Sequence, residues 1–251
     1  MAEAPDALGY RLKIGLVIPS TNTTAQPEID SLRLPGITLH TGRIPIQQKN
    51  IAGSDQDYLD HVAAMRAGIG KAMADVMTCG ANHMIMGVAL EAFWGGAAGA
   101  ADLEKKLAEE SGVPVSIGST AVREALRAFG ATSVAILTPH MPAGDEEIKT
   151  YFIESGFDVK RIRGLKCPNP RAIAQVPIAE IEKNLKELDG PDVQALVQLG
   201  TNLAGGDLSV RLEPVVGKPV IAINPATYWH ALRTHKITDK IPGKGRLLNE
   251  H

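Results

Sequence analysis

Apolar residues in this chain gather in short runs that end in glycine- or proline-containing turns, and longer amphipathic stretches separate the runs. One such run, Met84-Ile85-Met86-Gly87-Val88, leads into Ala89-Leu90-Glu91-Ala92-Phe93-Trp94-Gly95-Gly96. Short continuous apolar runs mark strands buried on both faces, as in parallel sheets. Strands are therefore expected at 12–18, 37–44, 84–88, 133–137, 157–162 and 193–199, with shorter ones beginning at 112–115 and 217–220. Helices are expected at 55–77, 99–111, 119–129, 145–155 and 227–234. Residues 169–188 read as helical, divided by Pro177. Ser119 suits a helix N-cap and Gly130 the position just past a helix end. Residues 210–216 read as a short helix or turn, and the tail 240–251 shows no pattern and is expected to pack loosely.

The order of elements repeats. Ile14 to Pro19 echoes Val134 to Pro139, Met86-Gly87 echoes Leu199-Gly200, and Gly112-Val113-Pro114-Val115 echoes Gly217-Lys218-Pro219-Val220. Alternating strands and helices imply a parallel sheet in each half. The expected architecture is α/β: two Rossmann-like lobes related by a pseudo-twofold axis, with the active site in the cleft between them. The first lobe is expected to take 1–120 with the C-terminal segment 224–251, and the second 121–223. Open α/β sheets bind ligands at the turns that follow the carboxyl ends of their strands. Those turns are 20–24 and 87–96 in one half, and 138–142 and 200–206 in the other.

Composition narrows the function. Apolar content of 44% is that of a globular chain, and a formal charge of −2 with scattered basic residues argues against a nucleic-acid surface. No apolar run reaches the roughly 20 residues of a membrane span. Residues 1–9 are acidic and alanine-rich without a signal-peptide core, so the expected location is cytoplasmic. Cys79 and Cys167 are far apart and belong to no cysteine or histidine cluster, which argues against a zinc site or a disulfide framework. There is neither a dinucleotide fingerprint nor a P-loop. No metal, dinucleotide or triphosphate site is expected, and a homo-oligomer is left open.

Each candidate residue carries a functional and a bland reading. Ser20 and Asn22, with Thr21 and Thr23, suit a clamp on a substrate carboxylate, and the same residue types favour helix N-caps. Val88 and Glu91 stand in the first half's turn. Glu91 among apolar neighbours suits a general base or water activator, or else a helix cap. His140 suits a general acid or base, or else a surface loop. Gly200, Thr201 and Asn202 suit an oxyanion pocket, although turns favour glycine and asparagine anyway. His40, His61, His83, His230 and His235 have no ligand spacing and read as structural.

Taken together, Ile14-Gly15-Leu16-Val17-Ile18-Pro19-Ser20-Thr21-Asn22, Met86-Gly87, Gly118-Ser119-Thr120-Ala121, Leu137-Thr138-Pro139, and Ile223-Asn224-Pro225-Ala226 with Trp229 resemble the aspartate/glutamate racemase superfamily. Within it they are most similar to the branch of maleate cis-trans isomerases and arylmalonate decarboxylases. The resemblance implies an enzyme without a cofactor, whose chemistry uses cysteines at two pseudo-symmetric turns. Racemases and maleate isomerases use both, and arylmalonate decarboxylases the second alone. It places those slots here at Gly87 and Gly200, with neither Cys79 nor Cys167 in one. It sets His140 at a substrate-contacting tyrosine position, Asn22 at a carboxylate-binding asparagine, and Asn169 at a second one.

The expected function is thus a lyase, hydratase, hydrolase or decarboxylase type of reaction on a small carboxylate. Glu91 and His140, facing one cleft, would replace thiol chemistry. The alternative is a carboxylate-binding protein without turnover on the same scaffold.

Overall fold

The computed structural model describes residues 6–46 and 54–251. The expected strands and helices fall inside them; residues 1–5 of the acidic N-terminal stretch and residues 47–53 of the expected first lobe lie outside. Strands β1 (Leu12–Pro19), β2 (Ile37–Ile44), β3 (His83–Met86) and β4 (Val115–Ile117) form a sheet in the order β2-β1-β3-β4. Strands β5 (Ser133–Thr138), β6 (Asp158–Gly164), β7 (Ala195–Gln198) and β8 (Val220–Ala222) form a second sheet in the matching order β6-β5-β7-β8. Every pairing is parallel. The two halves therefore share strand order and direction, as the sequence echo requires.

The helices are α1 (Ala25–Asp30), α2 (Asp55–Met77), α3 (Gly96–Ser111), α4 (Gly118–Ala128), α5 (Pro142–Glu154), α6 (Pro170–Ala174), α7 (Ile178–Leu188), α8 (Gly206–Val216), α9 (Ile223–Thr234) and α10 (Arg246–Glu250). Successive residues of a strand face opposite sides of its sheet. In β5, Val134 and Ile136 join a core that also holds the first sheet's strands. Ala135 and Leu137 face a separate cluster with Ile181, Leu185 and Leu188 of α7 and Leu208 and Leu212 of α8. One core thus runs through both lobes, and the second lobe keeps a further outer layer. Helix α9 follows β8 of the second sheet but packs on β3, β4 and α4.

Several expectations shift. The echo of Met86-Gly87 with Leu199-Gly200 is off by one residue. Met86 pairs with Val17 and Gln198 with Leu137. The next N–H groups continue the pattern, Gly87 to Val17 O at 2.8 Å and Leu199 to Leu137 O at 2.8 Å. Hydrogen-bond register therefore makes Leu199 the equivalent of Gly87, and Gly200 the equivalent of Val88. Ser119 is not an N-cap: α4 starts one residue earlier, and Ser119 is buried inside it. Gly130 does take the left-handed conformation past that helix, with φ +64°. Helix α1 is not among the helices expected from the pattern, although the capping reading of Asn22 implies a helix start beside it. Helix α8 begins at Gly206, ahead of the expected 210, because a distant carboxylate caps it: Glu28 accepts the N–H groups of Gly205 (2.9 Å) and Gly206 (2.8 Å).

The tail is not loose. Leu248 is fully buried and Leu247 nearly so, and α10 packs on α9. Leu248→Ala should lower unfolding stability by about 2–5 kcal/mol, the usual cost of emptying a buried leucine site. Urea unfolding checks this, and a change under about 0.5 kcal/mol, the range of surface substitutions, would contradict the packed tail.

Candidate functional site

The carboxyl ends of the two sheets meet at a polar seam built from three turns. Asn22, buried after β1, accepts from the N–H groups of Thr24 (3.0 Å) and Ala25 (2.9 Å) and so caps α1. Its Nδ2 crosses the seam to Thr201 Oγ1 at 3.1 Å. The Thr201 hydroxyl donates in turn to Gly87 O at 2.9 Å, joining all three turns. Asn202 accepts from Thr23 N–H (2.8 Å) and donates to Thr21 O (3.3 Å) and Pro170 O (3.0 Å). Asn224 of α9 donates to Thr201 O (3.0 Å) and to Glu28 Oε2 (2.8 Å).

This seam borders a cavity of about 70 Å³ lined by residues of both lobes. Pro19, Thr21 and Asn22 come from the first turn, and Val88, Ala89 and Leu90 from the second. Pro139 and His140 follow β5, and Gly200, Thr201 and Asn202 follow β7. Helix α2 adds Tyr58, His61 and Met65, and Pro170 and Ile173 close the remaining side. A larger open groove of about 780 Å³ runs along α1 and α8. Its half-buried carboxylate, Glu28, is already spent on Gly205, Gly206 and Asn224. The small cavity is where the strand ends of both sheets converge, so it is the candidate site.

Of the residues singled out in the sequence, Asn22, Val88, His140, Gly200, Thr201 and Asn202 come together here. Three do not. Ser20 is exposed and its hydroxyl accepts from Ile46 N–H at 3.0 Å. Asn169 caps α6, accepting from Ala172 N–H at 3.0 Å. Glu91 lies in a short 3-10 turn (Leu90–Phe93) with its carboxylate gripped by Arg66 of α2, at 2.6 Å from Nε and 3.1 Å from Nη2. It is buried and is not among the residues that line the cavity, so the structure does not bring it together with His140 as expected. A buried carboxylate needs a paired cation, and the guanidinium fork provides one.

The seam also changes what the polar side chains can offer. A threonine hydroxyl has one proton, and that of Thr201 goes to Gly87 O. Both amide protons of Asn202 are used as well. Asn22 keeps one amide proton beyond its bond to Thr201. Among the described residues, the backbone N–H groups of Val88, Ala89, Thr201 and Asn202 take no protein acceptor. Any oxyanion pocket is therefore a matter of backbone N–H groups rather than of the expected side chains.

Histidine chemistry is richer than the sequence reading allowed. His140 Nε2 is buried without a hydrogen-bond partner among the described residues. Burial first, and His61 second, pull its pKa down to about 4, so the ring is neutral near pH 7. Burial lowers the pKa of His61 too. Reading His61 as merely structural missed that Tyr58, His61 and Met65 recur at i, i+3 and i+7 on one helix face. That spacing was the available signal. His83, His230 and His235 form a separate network through Ser116 (His83 Nε2 to Ser116 Oγ 2.8 Å, Ser116 Oγ to His230 Nδ1 2.7 Å), starting from the amino end of β3 and away from the cavity.

Neither cysteine lines the cavity. Cys79 is exposed and precedes β3. Cys167 is buried beside Pro139, whose carbonyl accepts its N–H at 3.0 Å. Burial and Glu180 push its thiol up to about 11, so it stays protonated and poorly nucleophilic. Among the described residues no group of three or more His, Cys, Asp or Glu side chains is arranged to hold a metal, and no helix is long and apolar enough to cross a membrane.

Comparison with known proteins places this geometry. The chain is similar to the maleate isomerase of Nocardia farcinica, 26% identical over 97% of each chain. It is also similar to the arylmalonate decarboxylase of Bordetella bronchiseptica, 30% identical over 66% of this chain and 70% of that one. A solved Nocardia farcinica maleate cis-trans isomerase mutant with a covalently bound succinylcysteine intermediate superposes with a TM-score of 0.86, at 26% identity over 96% of this chain and 99% of that one. A liganded arylmalonate decarboxylase double mutant shares the fold, with a TM-score of 0.80 at 24% identity over 96% of this chain and all of that one. The arylmalonate decarboxylase family model matches residues 14–248, and the chain belongs to that family.

Proposed function

We propose that this protein is a cofactor-independent enzyme that acts on a small carboxylate-bearing compound through acid–base chemistry at His140. The observation that carries this reading is the unpartnered, buried Nε2 of His140 in a wall of the cavity where both sheets end. A neutral imidazole has one nitrogen that accepts a proton and one that donates. The neutral ring of His140 thus serves as a base at its free nitrogen, and as an acid only by returning the proton it has taken up.

The substrate's carboxylate is assigned to the N–H groups of Val88 and Ala89 or of Thr201 and Asn202, with the spare amide proton of Asn22. Negative charge that spreads onto the carboxylate during proton transfer or loss of carbon dioxide would meet the same preorganised donors. The other walls (Tyr58, Met65, Leu90 and Ile173) exclude water from the reacting carbon. Decarboxylation, or addition and elimination next to a carboxylate, fits this arrangement. Thiol addition, the chemistry in the name of the Nocardia farcinica structure, finds no support in the placement of Cys79 and Cys167. Glu91 enters as an anchor: through Arg66 it ties α2, and with it Tyr58 and His61, to the turn at 88–93.

Carboxylate binding without turnover has one observation on its side: the equivalent positions Gly87 and Leu199 carry no reactive group. A panel of small mono- and dicarboxylates followed by NMR separates the readings, since binding without chemical change would favour the second. With a substrate in hand, His140→Asn should lower kcat about a hundredfold or more, the scale of a lost general acid or base. Glu91→Gln should stay within about tenfold of the parent; a hundredfold loss in a folded variant would return the base role to Glu91. The double variant Cys79→Ser, Cys167→Ser should keep its turnover within about tenfold, and a loss beyond about a hundredfold would restore a thiol mechanism.

A further inference from the structure

Behind His140 lies a buried acid that the reading above does not use. Asp145, in the first turn of α5, is about nine-tenths buried, and Thr138 at the end of β5 is fully buried. The His140 N–H donates to Thr138 Oγ1 at 3.1 Å, and the Thr138 hydroxyl donates to Asp145 Oδ1 at 2.5 Å. A hydroxyl has a single proton. With Asp145 as the charged acceptor, that proton points to Asp145 and a lone pair is left for His140 N–H. We propose that Asp145, acting through the Thr138 hydroxyl, is a positioning residue that holds the His140 turn in register while its carboxylate is ionised. The functional half of this proposal rests on the role given to His140 above.

The surroundings leave little freedom for another arrangement. A methyl group at Gly164, the last residue of β6, would come within 2.6 Å of His140 O and 3.1 Å of Asp145 Cγ. Glycine there lets the strand end press against both. The outer side of the same turn is laced by backbone bonds from Leu165 to Thr138 O (2.9 Å), Lys166 to His140 O (3.2 Å) and Cys167 to Pro139 O (3.0 Å). Backbone therefore fixes the carbonyls, and Asp145 with Thr138 fixes the remaining N–H.

The charged and titratable groups facing Asp145 come from three elements. Glu146 on its own helix opposes ionisation, Lys166 after β6 favours it, and the Tyr58 hydroxyl on α2 stays neutral beside it. Burial is the largest influence and raises the Asp145 pKa to about 6. The carboxylate is thus formed above about pH 6 and lost as pH falls through that value. On protonation the bond from Thr138 loses its charge assistance, and the alignment of the His140 N–H loosens.

The test follows the His140 backbone amide in the full chain by 15N NMR from about pH 5 to 8, around the midpoint that burial gives Asp145. The resonance should titrate with a midpoint near 6 in the parent protein and in Thr138→Ser, and stay flat in Asp145→Asn and Thr138→Val. The imidazole of His140 itself titrates near 4, outside the window that decides the result. No movement in the parent, or the same midpoint in Asp145→Asn, would overturn the relay. This readout needs no substrate, so its failure is distinct from failure of the proposed function. With a substrate, Thr138→Val should lower kcat about tenfold with KM little changed, and Thr138→Ser should restore it, as for a residue that aligns rather than binds. An intact titration with full turnover in Thr138→Val would overturn the positioning role.

Discussion

The hydrogen bond from Asn22 to Thr201, and from Thr201 on to Gly87, is the constraint on which the site depends. Two parallel sheets that point their carboxyl ends at each other bring polar turns into contact, away from bulk water. Each buried amide and hydroxyl must then find a partner, since leaving one unmade costs about 1–3 kcal/mol. Asn22, Thr201 and Asn202 solve this by satisfying one another and the neighbouring backbone across the lobe boundary. Residue types that suggest ligand contacts are used here to fix one lobe against the other.

The chemistry available follows from what that closure leaves over. What the seam turns leave over, beyond one amide proton of Asn22, is backbone N–H groups, whose positions are set by the turns themselves. Such donors do not reorganise as charge develops, which is why oxyanion pockets use them. In the proposed reading the proton-transferring group comes from outside the seam. The β5 turn supplies His140, and α2 supplies His61 and Tyr58 from a helix face held in place by Arg66 and Glu91.

How much of this was legible depends on the distance over which each feature is decided. Residues 37–44 and 55–77 were read with their bounds intact because the apolar pattern of one segment settles them. The two-lobe architecture, with a parallel sheet in each lobe, was legible because the duplication is written twice in the chain. The start of α8 was not, because its cap, Glu28, stands 178 residues from Gly206. The pairing of Gly87 with Leu199 was hidden too: matching glycine to glycine is a rule about letters, whereas register is set by the hydrogen bonds to Val17 and Leu137.

Glu91 shows the same limit at the site. Its apolar neighbours in sequence invited a reactive carboxylate, but its environment is decided by Arg66, five residues along α2 from His61. The pair is lopsided: the Arg66 side chain is about half exposed and that of Glu91 is 4% exposed. An exposed guanidinium loses little by having no partner, whereas a buried carboxylate without one carries an uncompensated charge. The bridge is therefore less a source of stability than a condition on where α2 can lie. Because α2 also forms a wall of the cavity, the demand of one buried carboxylate reaches the residues most able to touch a substrate.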